Sequence, residues 1–342
     1  MGDGGLSRKL GKQTVRYLNP PVILASATVV GPREGAGPLG SQFDVVKEDH
    51  TLGEKTWEKA ERRMLEEACA LVLRKARLRF QDVDLFLAGD LLNQIISANY
   101  AARTLGIPFL GIYGACSTLT EALALGGMLV DGGFAGRLLL TSSSHYMSAE
   151  RQYRYPTEFA TQRPPTAQWT VTGAGAILLG IGTSGVAVTS ATVGKVIDAG
   201  MSDPNDMGSA MAPAAAEVIY QHFCDTGADP TSYDVIVTGD LGKVGSELLH
   251  RLLAERNLDL RDRHLDCGVA IYSDQQDPHA GGSGCACIAV VFAGPLLRRL
   301  EVGRYNRMLL VATGALFSPV TWKQGESIPC IAHAVAVERR EG

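Results

Sequence analysis

The chain has 342 residues, 46% of them apolar and 20% charged, with a formal net charge of −4. Such a length exceeds one ordinary core and suits two, and the mild acidity excludes a charge-driven nucleic-acid partner or anionic lipid surface. The seven cysteines show no C-x-x-C pair and no Cys/His spacing suited to zinc, so no metal site is expected and six of the seven read as buried, reduced thiols.

The first twelve residues are glycine-rich and basic without an apolar segment for export, which predicts no signal peptide. Residues 31–53 hold Gly-Pro pairs and charges with no counterpart later in the chain, as expected of a surface excursion or dimer arm. Trp57 to Ala76 is an amphipathic helix with Trp57, Ala60, Met64, Ala68 and Leu71 on one stripe. A short buried strand, Asp84 to Ala88, precedes a helix carrying Ile95, Ile96 and Ala102. Then come an apolar strand from Ile107 to Tyr113, the turn Gly-Ala-Cys116-Ser-Thr, a helix from Leu119 to Val130 and a strand from Arg137 to Thr141.

The second half repeats this plan. It predicts a helix around Val218 and Ile219, a strand Val235–Thr238, a helix through Leu248, Leu249 and Leu252, a glycine turn Gly281–Gly284 leading a helix to Leu300, and a strand Met308–Ala312. The longest apolar run, Cys285 to Leu297, falls short of the ~20 residues of a membrane span, so a soluble chain without a transmembrane helix is expected. Four segment pairs recur in order: Ser26–Val29 with Ser190–Val193, Asp84–Leu91 with Asp234–Leu241, Arg137–Thr141 with Arg307–Val311, and Gly175–Leu178 with His333–Ala336. Together they predict a duplicated α/β fold, residues 1–184 and 185–342, with two sheets covered on both faces and inner helices back to back. That register places Ala286 opposite Cys116 and Gly284 opposite Gly114, so a pocket at the pseudo-twofold axis would be lined by Cys116 and the Gly281–Gly284 turn.

A thiol at a helix start sits among unpaired N–H groups and the positive end of the dipole, which predicts a depressed thiol pKa and a seat for an anion. Either a nucleophile or an anion pocket fits these residues. Asp90 and Asp240, at matching strand ends, read equally as site residues or helix caps, capping being favoured for Asp240.

The duplicated plan with a cysteine opening a central helix resembles the thiolase and ketoacyl-synthase superfamily, which implies an αβαβα layered fold. More specific runs resemble the stage V sporulation protein AD family of spore-forming bacteria. They are Phe86-Leu-Ala-Gly-Asp-Leu-Leu-Asn-Gln94, Gly114-Ala-Cys-Ser-Thr118, Ala149-Glu-Arg-Gln-Tyr-Arg-Tyr-Pro-Thr-Glu158, Gly208-Ser-Ala-Met-Ala-Pro-Ala-Ala-Ala216, Ala280-Gly-Gly-Ser-Gly-Cys-Ala-Cys287 and Glu326-Ser-Ile-Pro-Cys-Ile-Ala-His333. The resemblance implies a thiolase fold turned to binding dipicolinic acid, alone or as its calcium chelate, with no cofactor. It also implies a homodimer, here expected to pair through Arg137–Ser142, and peripheral attachment at the spore inner membrane through membrane proteins of the same transport system.

The expected ligand-binding residues are Cys116, Ser117, Thr118, Asp90, Asn93, Arg154, His279, Gly282, Ser283 and Gly314. Backbone N–H groups at Cys116–Thr118 and Ser283–Cys285 would take one carboxylate, and an arginine fork the other. Arg154 is the preferred cation, with Arg103 and Lys243 as alternatives. Tyr146, Tyr153, Phe159 and Trp169 are candidates to stack on the pyridine ring, and Asp90 is an oxygen donor should calcium accompany the ligand. The alternative is an acyl-transfer enzyme with Cys116 as nucleophile, supported by His279 or His145. Against it, the turn where condensing enzymes carry a histidine reads Thr238-Gly-Asp-Leu241.

Overall fold

The computed structural model describes residues 7–153 and 163–341. Two sets of five strands share one order. The first runs Phe109–Gly111, Leu85–Gly89, Arg137–Ser144, Gly173–Gly180, Val22–Val30; the second runs His264–Asp266, Val235–Thr238, Arg307–Ala315, Cys330–Arg340, Gly185–Val193. In each set the first three strands are parallel and the fourth is antiparallel to both neighbours. The sets touch at one corner, where Val186 pairs with Ile23 and Ala187 with Val22. All four recurrent segment pairs occupy matching strands. A shared device fixes the start of the middle strand in each set. Asp84 accepts from Gly136 N (2.7 Å) and Arg137 N (2.9 Å), and Asp234 accepts from Asn306 N (2.6 Å) and Arg307 N (2.9 Å).

Helices Trp57–Ala76 and Ile96–Leu105 cover the outer face of the first sheet, and Met207–Thr226 and Gly242–Ala254 that of the second. Thr118–Asp131 and the segment from Cys285 lie between the sheets, inside a core that includes Leu119, Leu123, Ile288 and Phe292. Five layers result, as the duplicated pattern requires.

The structure changes several expectations. The second central helix is not continuous to Leu300: Cys285–Val291 passes through a π turn, Phe292–Leu296, before Leu297–Glu301. Pro295 has no N–H to donate, and Ser26 Oγ donates to the Ala293 carbonyl at 2.6 Å. Strand His264–Asp266 went unrecognised because three residues, His-Leu-Asp, are too short a run to carry a periodic signal. Residues 31–53 are a surface excursion only in their second part: Glu34 is fully buried and Leu39 and Phe43 join the central core, whereas Val46 and residues 48–50 are exposed. Strand Arg137–Ser144 is hydrogen-bonded on both sides, so the expected pairing of protomers through Arg137–Ser142 has no free edge to use. The free edge of that sheet is Phe109–Gly111.

The halves approach closely where Gly314 passes the turn before Cys116. A Cβ at Gly314 would stand 1.9 Å from the Gly114 carbonyl oxygen. Gly314→Ala should therefore cost about 1–3 kcal/mol in urea unfolding, while the same change at Gly136, whose φ is not positive and where an added Cβ meets nothing closer than 3.4 Å, should cost clearly less.

Candidate active or binding site around Cys116

Strand Phe109–Gly111 delivers the chain into a 3-10 turn, Ala115–Ser117, that opens helix Thr118–Asp131. Ala115 holds φ +48°, a left-handed conformation that costs a non-glycine residue energy and marks a constrained turn. Ser117 Oγ donates to the Gly114 carbonyl (2.6 Å) and Thr118 Oγ1 to that of Ala115 (2.7 Å). Both hydroxyls close the turn internally. From the other half, Gly284 (φ +100°) starts helix Cys285–Val291, Cys285 Sγ reaches the Ala115 carbonyl at 2.9 Å, and Ala286 N donates to Ser144 Oγ at 3.0 Å. The two helix starts meet at the pseudo-axis.

Beside them lies a narrow cavity walled by Leu91, Tyr113, Cys116, Ala149, Tyr153, Thr170, Met207, Met211, Ser283, Ala315 and Phe317. It joins the thiol of one half to the glycine turn of the other. Its described lining contains no lysine, arginine or histidine. Tyr113, Tyr153 and Phe317 also wall an adjoining cavity of ≈ 790 Å³ that includes Asn93.

The decisive neighbour is Asp240. Rather than capping a helix, it turns inward and accepts from Gly284 N (3.0 Å), Ser283 Oγ (3.1 Å) and Thr313 Oγ1 (3.1 Å), and the Cys116 thiol faces it. Asp266 takes the capping role instead, accepting from Leu241 N, Gly242 N and Val269 N. Burial pushes the Asp240 carboxyl up to about 6, opposed by its bonds to Cys116 and Gly284. Burial first, and then the Asp240 charge, push the Cys116 thiol well above its ordinary value. The depressed thiol expected from a helix start is thus reversed: desolvation and a carboxyl neighbour outweigh a dipole effect worth ~0.3–1 kcal/mol at exposed sites. An internal carboxyl occupies N–H and O–H donors that the sequence had assigned to a ligand.

The other candidates divide. Cys116 and Ser283 reach the cavity wall, as does Tyr153. Gly282 lies behind it in a two-residue strand paired with Trp169–Thr170, and Gly314 is spent on the close approach to Gly114. Ser117 and Thr118 are buried in their own turn. Asp90 accepts from Leu92 N and Ala98 N, both 2.8 Å, at the start of helix Ile96–Leu105, so both oxygens are committed and it suits calcium poorly. Burial raises the carboxyls of Asp90 and its neighbour Glu61 together.

Neither proposed histidine attends Cys116. His145 bonds to the His50 carbonyl (2.8 Å) and accepts from Met147 N, and burial holds its imidazole down at about 4. His279 bonds to the Pro164 carbonyl at 2.7 Å. His264, on the unrecognised strand, lies between His250 (2.9 Å) and Thr238 Oγ1 (2.8 Å), which donates to Asp266. Lys243 pairs with Asp274 and Arg103 lies over Tyr100. Tyr146 and Trp169 stack on each other at 3.7 Å with Arg33 on Trp169 at 3.8 Å, which engages them with each other rather than with a ligand ring. Arg154 and Phe159 lie outside the described residues. Met207, Met211 and Phe317 were missed as wall residues, although Met207 borders the Gly208–Ala216 run and Phe317 sits in the segment 313–318 after the last parallel strand.

Solved structures share this architecture. The chain aligns with an OleA variant of Xanthomonas campestris (TM-score 0.61, 13% identity, 97% of this chain and 100% of that one) and with 3-oxoacyl-[acyl-carrier-protein] synthase III of Aquifex aeolicus VF5 (0.58, 13%, 93% and 99%). It aligns also with AbyA1, a tetronic acid condensing enzyme (0.60, 18%, 92% and 99%). These likenesses define a thiolase-like fold. The family model for stage V sporulation protein AD matches residues 11–338, and the stage V sporulation protein AD of Bacillus subtilis (strain 168) is 50% identical over 332 residues, 97% of this chain and 98% of that protein. The chain belongs to the stage V sporulation protein AD family.

Asp240 gives a signed test. Its folded pKa of about 6 lies above the unfolded 3.8, so the folded state gains by holding the proton. That gain is complete below about pH 4 and lost as pH rises through 6. Asn at this position does not titrate, so the wild type should lose about 3 kcal/mol relative to Asp240→Asn between pH 4 and pH 7.5 in urea unfolding. A constant difference across that range would show that Asp240 is not a raised, buried acid.

Proposed function

We propose that the protein is a non-catalytic dipicolinate-binding protein of the spore-forming pathway that holds its ligand in the Cys116 cavity and delivers it to a membrane translocation assembly. Family membership supports the setting, and the pairing of Cys116 with Asp240 carries the non-catalytic reading. A condensing enzyme needs a thiolate and imidazole support. Here a thiol above 9 faces an acid near 6. The thiol is pushed up and the carboxyl is the stronger acid of the two, so the proton stays on sulfur, with no imidazole to stabilise a thiolate.

The same carboxyl bears on the form of the ligand. Dipicolinate is a flat dianion, and the described wall offers it no cation while holding Asp240 close by. A bare dianion there meets like charge in a desolvated site. The 1:1 calcium chelate is neutral and avoids that repulsion, which favours it as the cargo over the bare dianion, with Tyr113, Tyr153 and Phe317 supplying apolar and aromatic contact. No helix of the described residues is long and apolar enough to cross a membrane, which accords with peripheral attachment through protein partners. Self-association belongs to the same proposal, through the free edge Phe109–Gly111 rather than through Arg137–Ser144; sedimentation of a monomer at micromolar concentration would remove it.

Calorimetric titration at pH 7.5 should show dipicolinate binding with calcium present and at least tenfold weaker binding after calcium is chelated. Asp240→Asn should narrow that gap by restoring metal-free binding. Intact mass after incubation with acetyl coenzyme A should show no adduct. An acyl adduct abolished by Cys116→Ala would instead establish the protein as an acyl-transfer enzyme.

A further inference from the structure

A third cavity opens on the outer face of the first half, between the start of helix Trp57–Ala76 and helix Ile96–Leu105. Thr56, Glu58, Lys59, Arg62, Ile96, Ser97 and Tyr100 line it, and none of them touches the Cys116 cavity. Two features of its wall go unanswered by the fold. Ser97 is 2% exposed, yet its Oγ has no hydrogen-bond partner. Arg62 Nε is buried without a hydrogen bond, although the guanidinium is ion-paired at 3.5 Å with Glu66 Oε1 one helical turn on. Buried polar groups are almost always paired, and leaving one unmet costs ~1–3 kcal/mol. The Ser97 hydroxyl calls for a partner from outside, and Arg62 beside it keeps a buried N–H to offer.

The charges around them specify its sign. Lys59 lies one turn before Arg62 on the same helix and has no ion-pair partner among the described residues. The Glu58 carboxylate is engaged by Arg151. The helix is 20 residues long, and its cap, Thr56 Oγ1, accepts only from Lys59 N (3.4 Å). The preceding N–H groups of the first turn add positive potential toward the cavity. A guanidinium, an ammonium, a hydroxyl and a helix start surround one space, a donor set that suits a tetrahedral phosphate with several acceptor oxygens better than a flat carboxylate. On the rim, Ile96 and Tyr100 are 42% and 43% exposed, and Arg103 backs the tyrosine ring at 4.7 Å. Those side chains suit an apolar or aromatic group attached to the phosphate.

We propose that this cavity binds an organic phosphate, its phosphate held by Lys59, Arg62 and Ser97 and its apolar part resting on Ile96 and Tyr100. The site is separate from the dipicolinate reading and stands or falls without it.

Phenyl phosphate is the probe, followed by calorimetry or ³¹P line broadening on the full chain, with inorganic phosphate and benzoate in parallel. Phenyl phosphate should bind at least fivefold more tightly than either. Ser97→Ala and Arg62→Gln should each weaken it at least tenfold, while leaving ligand binding at the Cys116 cavity and the thermal midpoint of Ser97→Ala near wild type. A flotation arm with vesicles of phosphatidylglycerol in phosphatidylcholine separates the sources: capture lost in both variants would make the phosphate a lipid headgroup, and phenyl phosphate binding without capture would make it a soluble metabolite. Equal binding of benzoate, or phenyl phosphate binding indifferent to both substitutions, would overturn the proposal, as would no binding in either arm.

Discussion

The site is organised by one internal contact, the carboxyl of Asp240 seated among Gly284 N, Ser283 Oγ, Thr313 Oγ1 and the Cys116 thiol. These groups come from four separate segments and from both halves of the duplication. A buried carboxyl left without donors would be costly, so the glycine turn, the last parallel strand and the cysteine turn are held in mutual register by the need to satisfy it. The close passage of Gly314 over Gly114 and the bond from Cys285 Sγ to the Ala115 carbonyl keep that register tight.

The arrangement also sets the chemistry. A cysteine at a helix start is ordinarily activated by the dipole, and here desolvation and a like-charged neighbour oppose ionisation more strongly. The cavity is walled mainly by apolar and aromatic side chains with a buried acid close by, which disfavours a developing anion there. A shared fold does not fix this interior, because function resides in sites rather than in folds.

Duplication explains both the likeness of the halves and where they part. Asp84 and Asp234 do the same work, tying the start of the middle strand in each sheet, because both partners lie within one half. Asp90 and Asp240 also occupy equivalent strand ends. Asp90 caps the next helix, whereas Asp266 takes over capping in the second half and frees Asp240 to face the interface. The asymmetry rests on strand His264–Asp266, whose short polar sequence gave no periodic signal.

Much of the fold was legible from local pattern. The helix from Trp57 to Ala76, the strands recurring at Asp84 and Asp234, and the cysteine turn between an apolar strand and an amphipathic helix follow from periodicity, caps and turn residues within a few positions of one another. So does the meeting of Cys116 with the Gly281–Gly284 turn, once the repeat is recognised. The ionisation of Cys116, the inward turn of Asp240, the burial of Glu34 within residues 31–53 and the fates of His145 and His279 were decided only by tertiary structure. Strand and helix patterns are written along the chain, but the charge state of a side chain depends on what surrounds it. Around Cys116 those neighbours arrive from segments more than a hundred residues away (240 − 116 = 124).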